Sequence, residues 1–502
     1  MADSRYGTST VRNLGRGVRT CNLFEHLHSL PMAVFLGSSR QGPTGRFSII
    51  GIDPYLVIEE TDGVCTRYGT GHGEAAAITA GTTTPEDIAG SDAGTSPAAP
   101  RQTGNSFEEE LRRDLDRIRC TNPTELPLLD GAIGYLSYDY GRKFEGISSR
   151  HPRTARYPDA RMVFYDTLVV EDHLTDETYA IAHGRLRDPS ETLDRIGKLA
   201  SQAQPSSIPS KGNRLAEATP NFGKEEYKGT LAKMIRYIID GDIYIANMAQ
   251  QLEVKGPADP YDVYRYMRVH NPAPFSAYLG YPDAQMACAS MERFLQVRDG
   301  RVETRPIKGT RPRGRDAGED AAMRLELERS SKDRSELLMI VDLERNDLNH
   351  VCKPGTVQVT EHFAVEEYAT VFHLVSTIIG ELDDGMDAFD LIEAAFPGGS
   401  ITGAPKIRAM EIIDELEHGR RGIYTGSIGY LAADGNCDFN IVIRTAVHQD
   451  GMYGIGVGGG ITCESDLEFE YGETLQKAKA VLEAIAAAQD LRANRVRPPG
   501  NT

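Results

Sequence analysis

Through the first two hundred residues, short apolar runs rich in Val, Ile, Phe and Tyr are broken by Gly, Pro and polar turns. Residues 33–36, 46–50, 161–165 and 167–170 read as strands, with 131–139 as a further apolar segment between them. One acidic amphipathic pattern, at about 106–119, predicts a helix. Farther along, the period alternates. Apolar spacings of three and four predict helices over 224–239, 332–348, 403–417 and 466–487. Runs of β-branched and small residues predict strands over 242–254, 276–280, 286–306, 425–433, 439–447 and 452–463. No repeat of solenoid period is present. The pattern is that of an α+β protein whose large, mainly antiparallel β-sheets are flanked by helices.

Two low-complexity stretches punctuate the chain. Residues 75–106 are rich in Ala, Gly, Thr, Ser and Pro and read as a flexible insertion; residues 201–221 read as a linker. They predict an N-terminal region over 1–200, a second domain over 222–490 and a tail over 491–502.

Charge narrows the functional classes. A formal net charge of -18 over 502 residues argues against a nucleic-acid surface, which needs a basic stripe. It also means that an anionic substrate must be drawn in by local cations or a bridging metal. No apolar run is long enough to span a bilayer, and the start of the chain lacks a signal-peptide core. The seven cysteines are scattered without a C-x-x-C pair, as expected of reduced thiols in a cytoplasmic protein.

Three segments carry candidate chemistry. In Arg305-Pro306-Ile307-Lys308-Gly309-Thr310, Lys308 sits on a short strand-to-turn element, where a lysine can be held rigid and partly desolvated as a nucleophilic amine must be. On the last helix, Ser465 and Glu468 have capping-box spacing, and Glu470, Glu473 and Lys477 fall on one stripe. That stripe is either a solvated ion-pair face or two carboxylates for a hard cation beside a hook for an anion. Glu336, in the first turn of helix 332–348, either complements the helix dipole or adds a third carboxylate. Two glycine-rich loops also stand out. Residues 396–406 lead into a helix like an anion cradle but lack the G-K-[ST] ending of a P-loop. Residues 454–460 are not followed by the helix a dinucleotide site needs, and suit backbone that is closely approached beside a small anion.

Together these segments resemble the synthase subunit of the chorismate-utilising enzymes over nearly the whole chain. The strings that carry the resemblance are 271–279, Met291-Glu292-Arg293-Phe294, the Lys308 motif, 332–336 running into 340–347, His373-Leu374-Val375-Ser376, the 396–406 loop, Gly426 to Tyr430, Ile443-Arg444-Thr445, and Gly458 through Lys477. Within that family, Pro-Ile-Lys-Gly-Thr marks the branch that aminates C4 of chorismate. The anthranilate-forming branch usually has alanine for the lysine, and it tends to Pro-Tyr-Met where this chain has Pro274-Phe275-Ser276. Isochorismate- and salicylate-forming relatives carry a lysine base at the position of Ile245, so water activation there is not expected. Two departures stand out: Ile245 replaces a glutamine common among relatives, and Met291 replaces the proline of Ser-Pro-Glu.

The resemblance implies a fold of two packed sheets in a sandwich and a set of roles. Lys308 would attack C2 of chorismate, Glu292 would protonate the departing C4 hydroxyl, and His373 would lie in the pocket. Arg444, Lys477, Tyr430, Thr402 and the backbone at Gly459 and Gly460 would hold the substrate. Glu336, Glu470 and Glu473 would hold Mg²⁺. The implied partner is a separate glutamine amidotransferase subunit that supplies ammonia. An anthranilate-forming enzyme and a non-catalytic chorismate-binding homologue are the alternatives left open. Family members that bind tryptophan do so in the N-terminal region, where this chain has Leu36 to Arg40 and Gly45 to Ser48.

Overall fold

The computed structural model describes residues 3–42, 44–70, 100–205, 208, 211–212, 214–368 and 371–496. Most of the expected insertion, and parts of the linker and tail, lie outside them.

Strand pairing is antiparallel throughout the described ladders, and helices flank the sheets, as expected of the α+β pattern. Ala160–Asp172, buried along its whole length, is the spine of the N-terminal half. It pairs with Phe47–Thr61, Gly131–Leu136 and Glu177–Ala182. The sequence suggested two strands here, split at Asp166. Asp166 instead stays within one strand because its carboxylate accepts the backbone N–H groups of Arg185 (2.8 Å) and Leu186 (3.0 Å).

The single strand expected over 286–306 is three strands, Gln285–Ser290, Arg293–Arg298 and Arg301–Arg305. Asp299 and Gly300 turn the last two into a hairpin with φ of 51° and 78°, the left-handed pair that a two-residue turn requires. Besides the short Thr20–Phe24, four helices lie outside the predicted set: Pro189–Gln202, Pro260–His270, Ala317–Arg329 and Ala388–Ala395. Each is capped by an aspartate side chain, from Asp188, Asp259, Asp316 and Asp387. The strands Gln358–Glu367 and Val371–Glu381 are also additional, and the second is the partner of the Lys308 strand.

Residues on both sides of 201–221 share ladders. Val34–Gly37 pairs with Phe275–Gly280, and Gly131–Leu136 with Ser427–Ala432. The long antiparallel pair Ile245–Lys255 and Met452–Ile461 brings Asn247 opposite Gly460 and Met248 opposite Gly459. The final helix, Leu467–Val496, packs back on that pair and on Pro260–His270. The seven cysteines are unpaired. Among the described residues, no helix is long and apolar enough to cross a membrane.

Gly134 marks how closely these strands approach. A Cβ there would lie 1.9 Å from the Arg161 carbonyl oxygen. Backbone cannot give way as a side-chain tip can. Gly134→Val is therefore expected to destabilise the protein by about 3 kcal/mol or more, seen as a large fall in melting temperature or loss of soluble protein.

Candidate active site

Lys308 lies on the strand Ile307–Pro312, which pairs with Val371–Glu381. The register slips between Lys308 and Thr310, at Gly309 with φ of 73°. Such a bulge re-aims the flanking side chains. The Lys308 ammonium donates to the Ser400 carbonyl at 2.9 Å. A Cβ on Gly460 would meet the Lys308 Nζ at 3.3 Å and the Ile245 side chain at 3.5 Å. The amine thus sits against bare backbone, with the apolar Ile245 side chain beside it.

A cavity of about 550 Å³ opens here. Of the residues expected at the site, Lys308, Glu292, His373, Arg444, Lys477, Gly459, Gly460, Glu336, Glu470 and Glu473 all line it. Met291 lines it too. Tyr430 and Thr402 do not. Tyr430 lines a second cavity of about 580 Å³, with Leu36, Ser38, Arg46 and Phe47 from the two N-terminal stretches singled out by the resemblance. The Thr402 hydroxyl is spent on the Gly398 carbonyl at 2.9 Å. Among the lining residues not singled out by sequence are Tyr424 and Asn247. Asn247 carries a signal, a lone amide in the apolar run Ile-Ala-Asn-Met-Ala.

Three buried polar atoms in the cavity wall have no hydrogen-bond partner among the described residues: Glu292 Oε1, His373 Nε2 and Asn247 Oδ1. Left dry, such groups cost free energy, so the wall is built to meet polar atoms of a ligand. Burial raises the Glu292 carboxyl above the ordinary range, while Ser400 and the Lys308 charge pull the other way. Burial pushes the His373 imidazole down to about 3, helped by the Arg444 charge. His373 is therefore neutral near pH 7, with Nδ1 2.9 Å from the Thr310 hydroxyl.

Arg444 turns into the cavity from a backbone with φ of 53°, a conformation costing a side-chain-bearing residue about 1–2 kcal/mol. Its guanidinium donates to the Lys477 carbonyl. Lys477 in turn donates to the Gly458 carbonyl at 2.9 Å and pairs with Glu473 at 3.2 Å. The capping box expected from Ser465 and Glu468 does not form. Asp466 caps the helix through the Phe469 N–H, and Glu468 pairs with Lys224 and Lys228. The Ser465 hydroxyl donates instead to Glu470 at 2.8 Å. In the 396–406 loop, Lys406 is buried and donates to Asp347 at 2.7 Å, so it is not free to hold an anion.

The acidic end of the cavity suits a hard cation in its donor chemistry, which is carboxylate oxygen only. A Cβ on Gly459 would lie 3.0 Å from Glu473 Oε2 and 3.4 Å from Glu470 Oε2, so its absence keeps a cradle open between them. Burial raises Glu470, and the Glu473 charge raises it further. Burial likewise raises Glu336. These are carboxyls that a nearby positive charge would ionise. Among the described residues, no three such groups already stand at metal-ligand spacing.

Residues 65–483 match the family of chorismate binding enzymes, and the chain belongs to that family. Among its relatives, aminodeoxychorismate synthase component 1 of Bacillus subtilis is 36% identical over 464 residues, 91% of this chain and 92% of that protein. Anthranilate synthase component 1 of Aquifex aeolicus is 37% identical over 375 residues, 72% of this chain and 75% of that protein. The crystal structure of anthranilate synthase component I from Streptococcus pneumoniae superimposes with a TM-score of 0.72 at 28% identity, covering 88% of this chain and 93% of that one.

Behind the cavity, Glu344 is fully enclosed, and burial pushes its carboxyl up to about 8. Its Oε2 lies 2.9 Å from the Thr304 hydroxyl, which also lies 2.6 Å from the Phe294 carbonyl. One hydroxyl has one hydrogen, so protonated Glu344 donating to Thr304, which donates to Phe294, satisfies all three groups. The folded state then keeps a proton that the unfolded chain releases from about pH 4.5 upward. Stability from this group is full below that point, falls as pH rises towards 8, and levels off above it. Glu344→Gln should match the parent near pH 4 and exceed it by on the order of 4 kcal/mol above pH 8, measured by denaturant unfolding across that range.

Proposed function

We propose that this chain aminates chorismate at C4 with ammonia, forming 4-amino-4-deoxychorismate through a transient covalent bond to Lys308. The observation that carries this reading is the Lys308 amine in the cavity, close to the buried Glu292 carboxyl and opposite Ile245. The Lys308 nitrogen, once deprotonated, attacks C2, the two conjugated ring double bonds shift, and the C4–O bond breaks. Glu292 in its acid form gives its proton to the departing hydroxyl, which leaves as water. Ammonia then bonds to C4 and gives up a proton that restores Glu292, the two double bonds shift back, and the C2–N bond to Lys308 breaks. The proton lost by nitrogen in forming the adduct returns to Lys308 as its amine is expelled.

Arg444 and Lys477 offer charge-assisted hydrogen bonds to substrate carboxylates. Glu336, Glu470 and Glu473 would hold Mg²⁺. Bound there, it would supply the positive charge that reconciles an anionic substrate with an acidic wall. Ammonia would come from a glutamine amidotransferase partner, a role supported by the "component 1" in the names of the relatives.

Relatives of the anthranilate-forming kind match at nearly the same identity, so that activity is the second reading. Incubation with chorismate, Mg²⁺ and an ammonium salt separates the two. Aminodeoxychorismate without fluorescent anthranilate is expected; anthranilate and pyruvate without an added lyase would overturn the proposal. Lys308→Ala should lower ammonia-dependent product formation about a thousandfold, whereas near-normal turnover would exclude a covalent role. Glu470→Gln should abolish both the Mg²⁺ dependence and most activity, and an unchanged metal titration would remove Glu470 from the ligand set.

A further inference from the structure

Lys332 stands at the acidic end of the cavity without a role in the chemistry above. It occupies the first turn of the helix Ser331–Asn349, capped by Ser330. Its Nζ lies 3.9 Å from Glu336 Oε1 and 3.8 Å from Glu470 Oε1, so a single ammonium spans carboxylates from two different helices. Helix physics does not explain a lysine here. A cation in the first turn opposes the helix dipole, and Lys preceding Glu by four residues is the weaker order of that pair. The neighbouring Asp333 is not its partner, since that carboxylate is bonded to Arg311 at 3.0 Å. Both Lys332 contacts are longer than a hydrogen bond, and its side chain is 38% exposed. The ammonium is therefore placed by charge and is able to swing out.

We propose that Lys332 is a resident counter-cation of the carboxylate pocket, bridging Glu336 and Glu470 and competing with a divalent ion for them. The inference rests on the reading of Glu336, Glu470 and Glu473 as metal ligands. The consequence is ordered loading. Without substrate, Lys332 offsets the repulsion among the carboxylates and weakens metal uptake. A substrate carboxylate entering the cavity adds negative charge that favours the divalent ion over the monovalent ammonium.

Direct binding of Mn²⁺ to the full chain, read by the loss of the free-ion electron paramagnetic resonance signal, tests this without turnover. Without chorismate, Lys332→Met should bind Mn²⁺ about tenfold more tightly than the parent, the size expected on losing two partly exposed ion pairs. Lys332→Arg, whose guanidinium can grip two carboxylates, should bind it less tightly than the parent. Equal affinity in all three proteins would overturn the competition. So would a Lys332→Met protein with unchanged Mn²⁺ affinity but a strongly raised KM for chorismate, which would make Lys332 a substrate grip. If the parent takes up no Mn²⁺ with or without chorismate, the metal reading itself falls and the inference with it.

Discussion

The site depends on a strand with glycine at five of its ten positions. Along Met452–Ile461, several groups of the cavity approach at the places where a Cβ is missing. The Tyr424 ring lies where a Cβ on Gly456 would come within 2.1 Å of it, and Asn247 lies 3.0 Å from the Cβ position of Gly458. The Glu470 and Glu473 carboxylates converge on Gly459, and the Lys308 amine on Gly460. The strand keeps its place despite so many glycines, each costly in conformational entropy, because ten successive residues pair with Ile245–Lys255. The ladder fixes the backbone and the bare backbone fixes the depth of the cavity. The side chains that do chemistry are thereby supplied from neighbouring elements: the Lys308 strand, the strand bearing His373, and the helices bearing Glu336 and Glu470.

Electrostatics then sorts the cavity into two ends. The acidic end collects Glu336, Glu470 and Glu473 at an edge where Lys332 reaches in from the surface. The other end collects Lys308, Arg444 and a Glu292 whose burial favours the uncharged acid. In its acid form Glu292 would remove one repulsive charge from the path of an anion and would hold a proton where a leaving hydroxyl needs one. His373, neutral near pH 7 in the same wall, adds no charge of its own. A protein of net charge -18 can thus present a locally receptive surface to an anion without a basic exterior.

How much of this is legible in the sequence follows from what each feature depends on. The helix Lys224–Ile239 matches its predicted span because one amphipathic period runs from end to end. Most of the site is legible too, since its residues lie in motifs with fixed local spacing. What escapes is decided by tertiary placement. Tyr424 and Tyr430 stand six residues apart in one glycine-rich string, and only the pairing of Ser427–Ala432 with Gly131–Leu136 sends Tyr430 to the other cavity. Ser465 has the spacing of a cap, yet its hydroxyl goes to Glu470 because Asp466 is one residue nearer the helix start. Four of the additional helices do carry a local signal, an aspartate just ahead of each, and two of them have Pro at the first position. Apolar period outweighs that signal in a sequence reading, whereas in the folded chain the cap fixes where the helix starts.

The composition of the wall around Lys308 bears on which nucleophile the proposed chemistry would admit. An intermediate carrying a good leaving group is open to water as well as to ammonia. Selection against water requires that no nearby group be a competent base while ammonia needs none, being nucleophilic as it stands. The position where related enzymes place a lysine base is filled by Ile245, which is buried. His373, held near 3, is too weak a base to take a proton from water efficiently. Glu292, its proton given to the departing hydroxyl, is placed to take one back from the ammonia that adds at C4, and burial favours that return to the acid form. The Lys308 amine, the other base in that wall, is by then a secondary amine bonded to C2. On this reading the lysine activates the ring, and neither Ile245 nor His373 supplies the base that would let water in.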